Sequence, residues 1–201
     1  ELNDLRTSAK EKGINLFIAY NRRFYTSVNS LREFISEEGG LLSFNFEFTE
    51  WAHEIADLSL SKTIKDKWLI ANSSHVIDLA FFIGGKPINL STFHSGSLDW
   101  HPSSSVFAGA GHCQNNILFS YSANWSSAGR WALEFMTREN RYILRPLEEL
   151  QVTKLGSINI EKIDIDNRFD IEYKPGLYNQ TKTFLNKEDE MLCSIEDQLS
   201  N

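Results

Sequence analysis

The stretch WLIANSSHVIDLAFFIGGKP, residues 68–87, marks the point where the character of this 201-residue sequence changes. Small polar residues that favour helix N-caps stand at 72–74, an apolar run follows directly, and Gly84-Gly85 supplies a helix stop. This pattern predicts a short buried helix over residues 73–83. The sequence before it alternates between helix and strand patterns, whereas the sequence after it is rich in strands.

His75 falls in the first turn of this predicted helix, and Asp78 follows three residues later. That spacing places the carboxylate within reach of an imidazole nitrogen. A helix N-terminus disfavours the imidazolium and a carboxylate favours it, so the two effects oppose each other. A histidine left neutral near physiological pH suits general acid/base chemistry. The alternative is a capping or core histidine that Asp78 merely orients.

Upstream of this stretch, helices and strands alternate. The patterns predict a helix over residues 2–12, a buried strand over 14–20, a helix over 26–38 and a strand over 42–48. In the last of these, apolar and polar residues alternate with period two, which indicates a strand with one buried face. This order is typical of mixed helix and strand folds.

Downstream of residue 88, seven strand-like runs follow one another: INLSTFHSG, SVFAGAGH, NNILFSYSANW, RWALEFMT, RYILRPL, LQVTKL and INIEKIDI. Short strands divided by turns indicate an antiparallel meander, with SSAG at 126–129 as a hairpin turn. A helix over residues 178–185 and an acidic tail close the chain. The predicted fold is α+β: a large, open, mainly antiparallel β-sheet with helices packed on one face.

The free face of such a sheet needs a cover, and a second subunit is the economical candidate, so we expect a homo-oligomer through the β-sheet face. The net charge of −7 and the absence of a basic block argue against nucleic acid or an anionic membrane as partner. No apolar segment has spanning length and no signal-peptide pattern is present, which predicts a cytoplasmic protein. Cys113 and Cys193 are too few and too far apart for a disulfide framework, and are expected to be reduced.

Familiar catalytic motifs are absent. The segment GAGHCQ at 109–114 lacks the third glycine of a dinucleotide-binding turn and reads better as a glycine-bearing strand, so no cofactor is expected to bind this chain alone. His94, His101 and His112 show no metal-ligand spacing, which predicts no metal site. A hydrolase built on His75 and Asp78 would lack a paired nucleophile.

Arg22 and Arg23 in YNRRFYTS follow a strand and precede a helix, the edge at which α/β folds tend to bind ligands. An arginine fork there could hold a phosphate or a carboxylate. The alternative is that one arginine pairs with an acidic neighbour while Phe24 anchors the turn.

Lys67 and Trp68 lie just before the predicted histidine helix. They bring a cation and a flat ring close to His75 in sequence, and both are candidate substrate contacts. The alternative is a solvated loop.

The order of these segments resembles the C-terminal domain of the Gfo/Idh/MocA family, the glucose-fructose oxidoreductase and inositol dehydrogenase group. The likeness spans nearly the whole chain, and its specific parts are NRRF at 21–24, HVIDL at 75–79 and GGKP at 84–87. The resemblance implies that residues 1–201 form a single domain for substrate binding and oligomerisation. It also implies that a Rossmann domain holding NAD or NADP lies upstream of residue 1, so that this chain alone is inactive.

The resemblance gives His75 the position of the family's active-site histidine, which exchanges a proton with a sugar or sugar-nucleotide hydroxyl or carbonyl. The residues expected to bind substrate are Asn72, Arg22, Arg23, Lys67 and Trp68, with Asp78 orienting the histidine. Many family members carry an aspartate four residues before the histidine, and this chain has Ala71 there. That departure keeps open a second possibility, a non-catalytic sugar-binding or scaffolding protein with the same fold.

Overall fold

The computed structural model describes residues 2–200 of the chain. The helices are α1 (Leu2–Glu11), α2 (Thr26–Glu37), α3 (Ala52–Asp57), α4 (Lys62–Lys65), α5 (Ser74–Gly84), α6 (Arg168–Glu172), α7 (Leu177–Asn186) and α8 (Ile195–Ser200). The strands are β1 (Phe17–Ile18), β2 (Ser43–Glu47), β3 (Pro87–Ser95), β4 (Val106–Cys113), β5 (Leu118–Asn124), β6 (Ala132–Met136), β7 (Asn140–Leu144), β8 (Leu150–Lys154), β9 (Glu161–Lys162) and β10 (Cys193–Ser194). Among the described residues, no helix has the length and apolar character needed to cross a membrane.

The chain divides into two compact units. The terminal unit combines the chain up to Thr26 with the chain from Asn167 onward, and the sheet unit runs from Ser27 to Asp166. In the terminal unit, β1 pairs antiparallel with β10. The ring of Phe17 on β1 meets that of Phe184 on α7 edge to face, 6.2 Å between centroids.

The sheet unit contains eight strands in the order β3-β4-β5-β2-β6-β7-β8-β9. Neighbouring strands are antiparallel except β2 and β5, which run parallel. The predicted α+β class, with an open and mainly antiparallel sheet, is therefore confirmed. Phe44 and Phe46 alternate with half-exposed Ser43, Asn45 and Glu47 on the central strand β2, as its period-two pattern predicts.

The predicted hairpin at 126–129 is wrong. β5 and β6, which flank that turn, do not pair with each other, because β2 lies between them and pairs with both. Alternation along a strand reveals which face is buried, but it does not determine which strand pairs with it. Any strand whose buried face points the same way is compatible with the pattern. An earlier strand can therefore occupy the centre of an apparent meander.

The helices of the sheet unit pack on the face that Phe44 shares. Phe81 of α5 approaches Phe44, Phe46 and Phe119 with ring centroids 5.9, 5.7 and 5.0 Å away. On the same face Phe34 of α2 stacks on Tyr142 of β7 at 5.6 Å. The core of this unit is therefore an aromatic layer between α2, α5 and the sheet.

Most of the other predicted elements are present with shifted ends. The helices predicted near 2–12, 26–38 and 178–185 correspond to α1, α2 and α7. The buried strand predicted over 14–20 is wrong in extent and burial, since only Phe17–Ile18 is strand and both residues are half-buried. The strand predicted over 158–165 shrinks to β9. The helices α3, α4, α6 and α8 have no counterpart in the sequence prediction, because they are too short to show a clear period.

Candidate active site

The chain enters α5 through a turn of π-helix, Leu69–Ser73, in which the Ser74 amide donates to the Leu69 carbonyl five residues back. The predicted N-cap at 72–74 is therefore wrong. Ser73 has helical dihedrals (φ −66°, ψ −21°) and its side chain makes no capping hydrogen bond. Because the backbone is already helical before His75, the predicted effect of a helix N-terminus on the imidazole does not apply. Two of the three polar side chains that were expected to cap the helix, those of Asn72 and Ser73, bind elsewhere.

Their partner is Glu50, whose side chain is only 1% exposed. One carboxylate oxygen, Oε1, accepts hydrogen bonds from Asn72 Nδ2 at 2.9 Å and from Ser73 Oγ at 2.7 Å. Both donors belong to the π-helical turn. A carboxylate buried this deeply needs such donors, because removing it from water without partners is costly.

The second oxygen of Glu50, Oε2, accepts from Arg130 Nη1 at 2.9 Å. The Arg130 guanidinium lies over the rings of Trp51 and Trp131, with Cζ 4.9 and 4.8 Å from their centroids. Trp51 is itself held by a 3.0 Å hydrogen bond from its Nε1 to the Gly129 carbonyl. The ion pair is thus fixed from both sides, by the π-helical turn and by two indole rings.

Strand β2 delivers Glu50 to this position. The residues that follow the strand stay attached to β5: Trp125 Nε1 donates to the Phe48 carbonyl at 3.1 Å, and the Asn124 amide donates to Thr49 Oγ1 at 3.0 Å. Glu50 follows Phe44, Phe46 and Phe48 in the series of every second residue, whose side chains lie on the buried face of the strand. We did not predict Glu50, although extending that alternation by one step would have indicated a buried carboxylate.

His75 and Asp78 lie on α5, beside the stripe that Val76, Leu79 and Ala80 bury completely. Both are partly exposed, so they border the core without being enclosed by it. Because α5 is regular from Ser74 onward, the spacing of three residues places them on roughly the same face of the helix.

Lys67 and Trp68 precede the π-helical turn directly. Lys67 is exposed, whereas Trp68 is 9% exposed and packs edge to face with Trp100 at 6.3 Å, so the solvated-loop alternative fails for the tryptophan. Trp68 Nε1 is buried and has no hydrogen-bond partner in the part of the chain that the structure describes. Indole nitrogens in such positions usually find an acceptor.

Arg22 and Arg23 lie in the terminal unit, in a 3₁₀ turn over Asn21–Phe24. Arg23 is 6% exposed and donates to the Met191 carbonyl at 3.4 Å. Phe24 is buried, and its carbonyl accepts from Asn179 Nδ2 at 3.3 Å. Phe24 therefore anchors this turn, as one part of the alternative interpretation expected, whereas the other part, an arginine paired with an acidic neighbour, stays a prediction.

Among the candidates, those on the segment from Lys67 to Asp78 share the sheet unit and follow one another along the π-helical turn and α5. The arginine pair belongs to the terminal unit. Two side chains that sequence reasoning missed, Glu50 and Arg130, hold the π-helical turn just before His75.

Two other sequence features have structural roles. The glycines of GAGHCQ lie in β4, where a Cβ at Gly109 would collide with the Tyr121 ring and one at Gly111 with the Asn89 carbonyl. Close strand packing therefore accounts for both.

Burial raises the pKa of the Cys113 thiol to about 11, so that it stays protonated and unreactive at neutral pH. Within residues 2–200, no three His, Cys, Asp or Glu side chains are grouped so that they could hold a metal ion.

No protein-family model matches the sequence, and no curated protein sequence matches it. Solved structures with the same fold do exist. A UDP-N-acetylglucosamine 3-dehydrogenase from Acidithiobacillus ferrooxidans matches 98% of this chain with 13% identity and a TM-score of 0.68. A dehydrogenase from Clostridium difficile matches 91% with 18% identity and a TM-score of 0.67. A levoglucosan dehydrogenase, solved in complex with NADH and levoglucosan, matches 83% with 18% identity and a TM-score of 0.64.

The chain spans 60%, 56% and 51% of the lengths of these three proteins. At such low identity, the likeness concerns the fold. The fold that the sequence resemblance predicted is thereby confirmed.

Proposed function

From the fold that this chain shares with the C-terminal domain of Gfo/Idh/MocA oxidoreductases, we propose that it is the substrate-binding part of an NAD(P)-dependent oxidoreductase. Its substrate is a sugar or a sugar nucleotide, at which a hydroxyl is oxidised or a carbonyl reduced. The observation that carries the proposal is the match of nearly the whole chain to solved dehydrogenases. Two of them are named for sugar substrates, UDP-N-acetylglucosamine and levoglucosan.

In this proposal His75 exchanges a proton with the reacting oxygen of the substrate, and Asp78 on the same side of α5 keeps the imidazole oriented. Asn72 accepts a hydrogen bond from a neighbouring hydroxyl through Oδ1, because its Nδ2 already donates to Glu50. Trp68, which packs edge to face on Trp100, contacts the substrate through the part of its ring that stays exposed. Lys67, which is exposed, supplies positive charge for an anionic part of the substrate.

The nicotinamide cofactor, when bound, accepts or donates the hydride. The glycines of GAGHCQ, the segment of this chain most similar to a dinucleotide-binding turn, are used in strand packing. We therefore assign the cofactor to a Rossmann domain that precedes residue 1, with residues 1–201 as one C-terminal domain. The terminal unit supports this assignment. Ile14, Phe184 and Leu185 near its two-stranded sheet are 56%, 54% and 70% exposed, and a further domain would cover these apolar side chains.

The test is an assay of the full-length protein with NAD⁺ and NADP⁺ against a panel of sugars and sugar nucleotides, in which reduction of the nicotinamide is followed by absorbance. The proposal expects turnover with at least one member of the panel. Saturable binding of a sugar without any turnover, in either direction of the reaction, would contradict it.

That contradicting outcome would support the second candidate, a non-catalytic sugar-binding or scaffolding protein. Ala71 favours it, because an exposed alanine stands where many members of the family carry an aspartate. Alanine neither accepts a proton nor binds a hydroxyl.

We also propose that the protein is a cytoplasmic homo-oligomer. Its two cysteines are reduced and buried, which fits a reducing compartment. The sheet face opposite α2 and α5 exposes Leu118 (61%) and Phe93 (70%) beside small and polar side chains such as Ser120 and Ser122. A second copy of the sheet would cover these apolar residues.

A further inference from the structure

Glu50 is buried more deeply than Asp78, the carboxylate beside the candidate histidine. Its side chain is 1% exposed, so it cannot touch a substrate. For the same reason it cannot take the role of the aspartate that many family members carry at the position of Ala71. Its two oxygens are nevertheless fully committed, Oε1 to the π-helical turn and Oε2 to Arg130.

The π-helical turn is the segment that needs such support. A π turn is rarer and less regular than α-helix, and it is found often at functional sites. Here it ends at Ser73, two residues before His75, so the path of Leu69–Ser73 sets the direction in which α5 starts. Two of its five side chains are held by a single carboxylate oxygen.

We propose that Glu50 is a positioning residue for the active site, which fixes the π-helical turn and through it the orientation of Asn72 and the start of the His75 helix. The effect of Glu50 on catalysis rests on the proposed function, whereas its effect on the π-helical turn does not. Arg130 also contributes to this arrangement. It neutralises the buried carboxylate of Glu50, and the Trp51 and Trp131 rings keep its guanidinium in place.

Glu50→Gln separates positioning from packing, because it preserves shape while removing one acceptor. If the amide oxygen faces Asn72 and Ser73, the amide nitrogen faces the Arg130 donor, and two donors then oppose each other. If the amide is reversed, both hydrogen bonds to the π-helical turn are lost. A second change, Arg130→Met, removes the opposing donor and lets the glutamine oxygen face the turn again.

The experiment measures backbone amide hydrogen exchange in the full-length protein by mass spectrometry. In Glu50→Gln, we expect residues 69–75 to exchange roughly tenfold faster, because hydrogen bonds to a charged group are lost there. Exchange in β6 and β7 should stay within about twofold of the wild type, since these strands lie outside the local opening. In the double variant with Arg130→Met, exchange over residues 69–75 should return toward the wild-type rate.

Unchanged exchange over residues 69–75, or an equal acceleration in all strands, would overturn the inference. Should Glu50→Gln fail to fold, Ser73→Ala removes one donor while leaving the ion pair with Arg130 intact. It should give the same local acceleration, to a smaller degree, and no acceleration would overturn the inference equally.

Turnover of the same variants provides the link to function. With a substrate identified by the cofactor-linked assay, Glu50→Gln should lower kcat and the double variant should recover part of it. Since hydrogen exchange needs no substrate, failure to find any turnover would count against the proposed function alone. Accelerated exchange without a change in kcat would instead overturn the positioning role.

Discussion

Glu38, just after the last residue of α2, accepts hydrogen bonds from three side chains of the β6–β7 region: Thr137, Asn140 and Tyr142. Burial raises the pKa of this carboxyl, but the bonds from Thr137, Tyr142 and Asn140 outweigh that effect and leave the pKa below its ordinary value of 4.5. Burial and the same carboxylate raise the pKa of Tyr142. Glu38 therefore binds α2 to the sheet as an ionised group.

A folded-state pKa below the unfolded value means that Glu38 stabilises the fold fully above about pH 4.5 and loses this contribution as the pH falls through the folded-state pKa. We expect Glu38→Gln to lower the free energy of unfolding at pH 7 by about 1–3 kcal/mol, because donors to a charged acceptor are lost. The difference from the wild type should shrink below pH 4.5. Urea unfolding at several pH values measures it.

Glu37→Gln is the matched control, because Glu37 is exposed at the end of the same helix. It should leave stability nearly unchanged at every pH. A loss as large as that of Glu38→Gln, or a difference between Glu38→Gln and the wild type that does not shrink as the pH falls below 4.5, would contradict the assignment.

Single side chains also show where sequence reasoning could have gone further. The alternation of Phe44, Phe46 and Phe48 predicted the buried face of β2, and Glu50 occupies the next alternate position. Arg130 gave no such signal, because its partner is 80 residues away in the chain. Long-range ion pairs depend on sheet order, which alternation alone does not determine.

Helix α5 meets strand β2 at Gly84, where a Cβ would collide with the ring of Phe44. We expect Gly84→Ala to destabilise the protein by about 1–3 kcal/mol through overpacking, although alanine favours helix more than glycine does. Thermal unfolding monitored by circular dichroism measures the change.

The control is the double variant Gly84→Ala with Phe44→Leu, in which a smaller side chain leaves room for the methyl group. Its stability should exceed the value expected from adding the two single effects, since the residues are in contact. Simple additivity would mean that the helix does not approach the strand at this point.

The extents of α1, α2 and α7 could be predicted from helical period and stop residues, and that of β2 from alternation. Two features of the arrangement could not. The parallel pairing of β2 with β5 joins segments about 75 residues apart, and its apolar pattern is the same as that of an antiparallel neighbour. The π-helical turn at Leu69–Ser73 is stabilised by Glu50, a residue distant in the chain. The residues of the turn themselves therefore predicted only a helix N-cap.

For the whole assembly, the free face of the sheet is the surface we assign to a second copy. Replacing Leu118 and Phe93 together by glutamate should shift the full-length protein toward monomer, because charged groups would be buried at the contact. Sedimentation velocity gives the mass directly.

Leu90→Glu serves as control, since Leu90 is 49% exposed on the same strand as Phe93 but lies on the other face of the sheet. It should leave the mass unchanged. A wild-type protein that is monomeric, or an oligomer that tolerates both glutamates, would contradict the assignment.

The division into a terminal unit and a sheet unit has no marker in the sequence, because the terminal unit is assembled from the two ends of the chain. Composition and linkers reveal boundaries only where a unit is continuous. The α+β class, by contrast, follows from the change of pattern at residue 88 and needed no long-range information.

The most direct test of the function compares kcat for cofactor-linked sugar turnover in the full-length wild type and in His75→Ala, with His94→Ala on the exposed strand β3 as control. We predict that His75→Ala lowers kcat by about 10²–10⁴-fold, the contribution typical of general acid/base catalysis, while its unfolding free energy stays close to that of the wild type. His94→Ala should retain wild-type turnover. Unchanged turnover in His75→Ala, or a loss matched by an equal loss of folded protein, would contradict a catalytic His75.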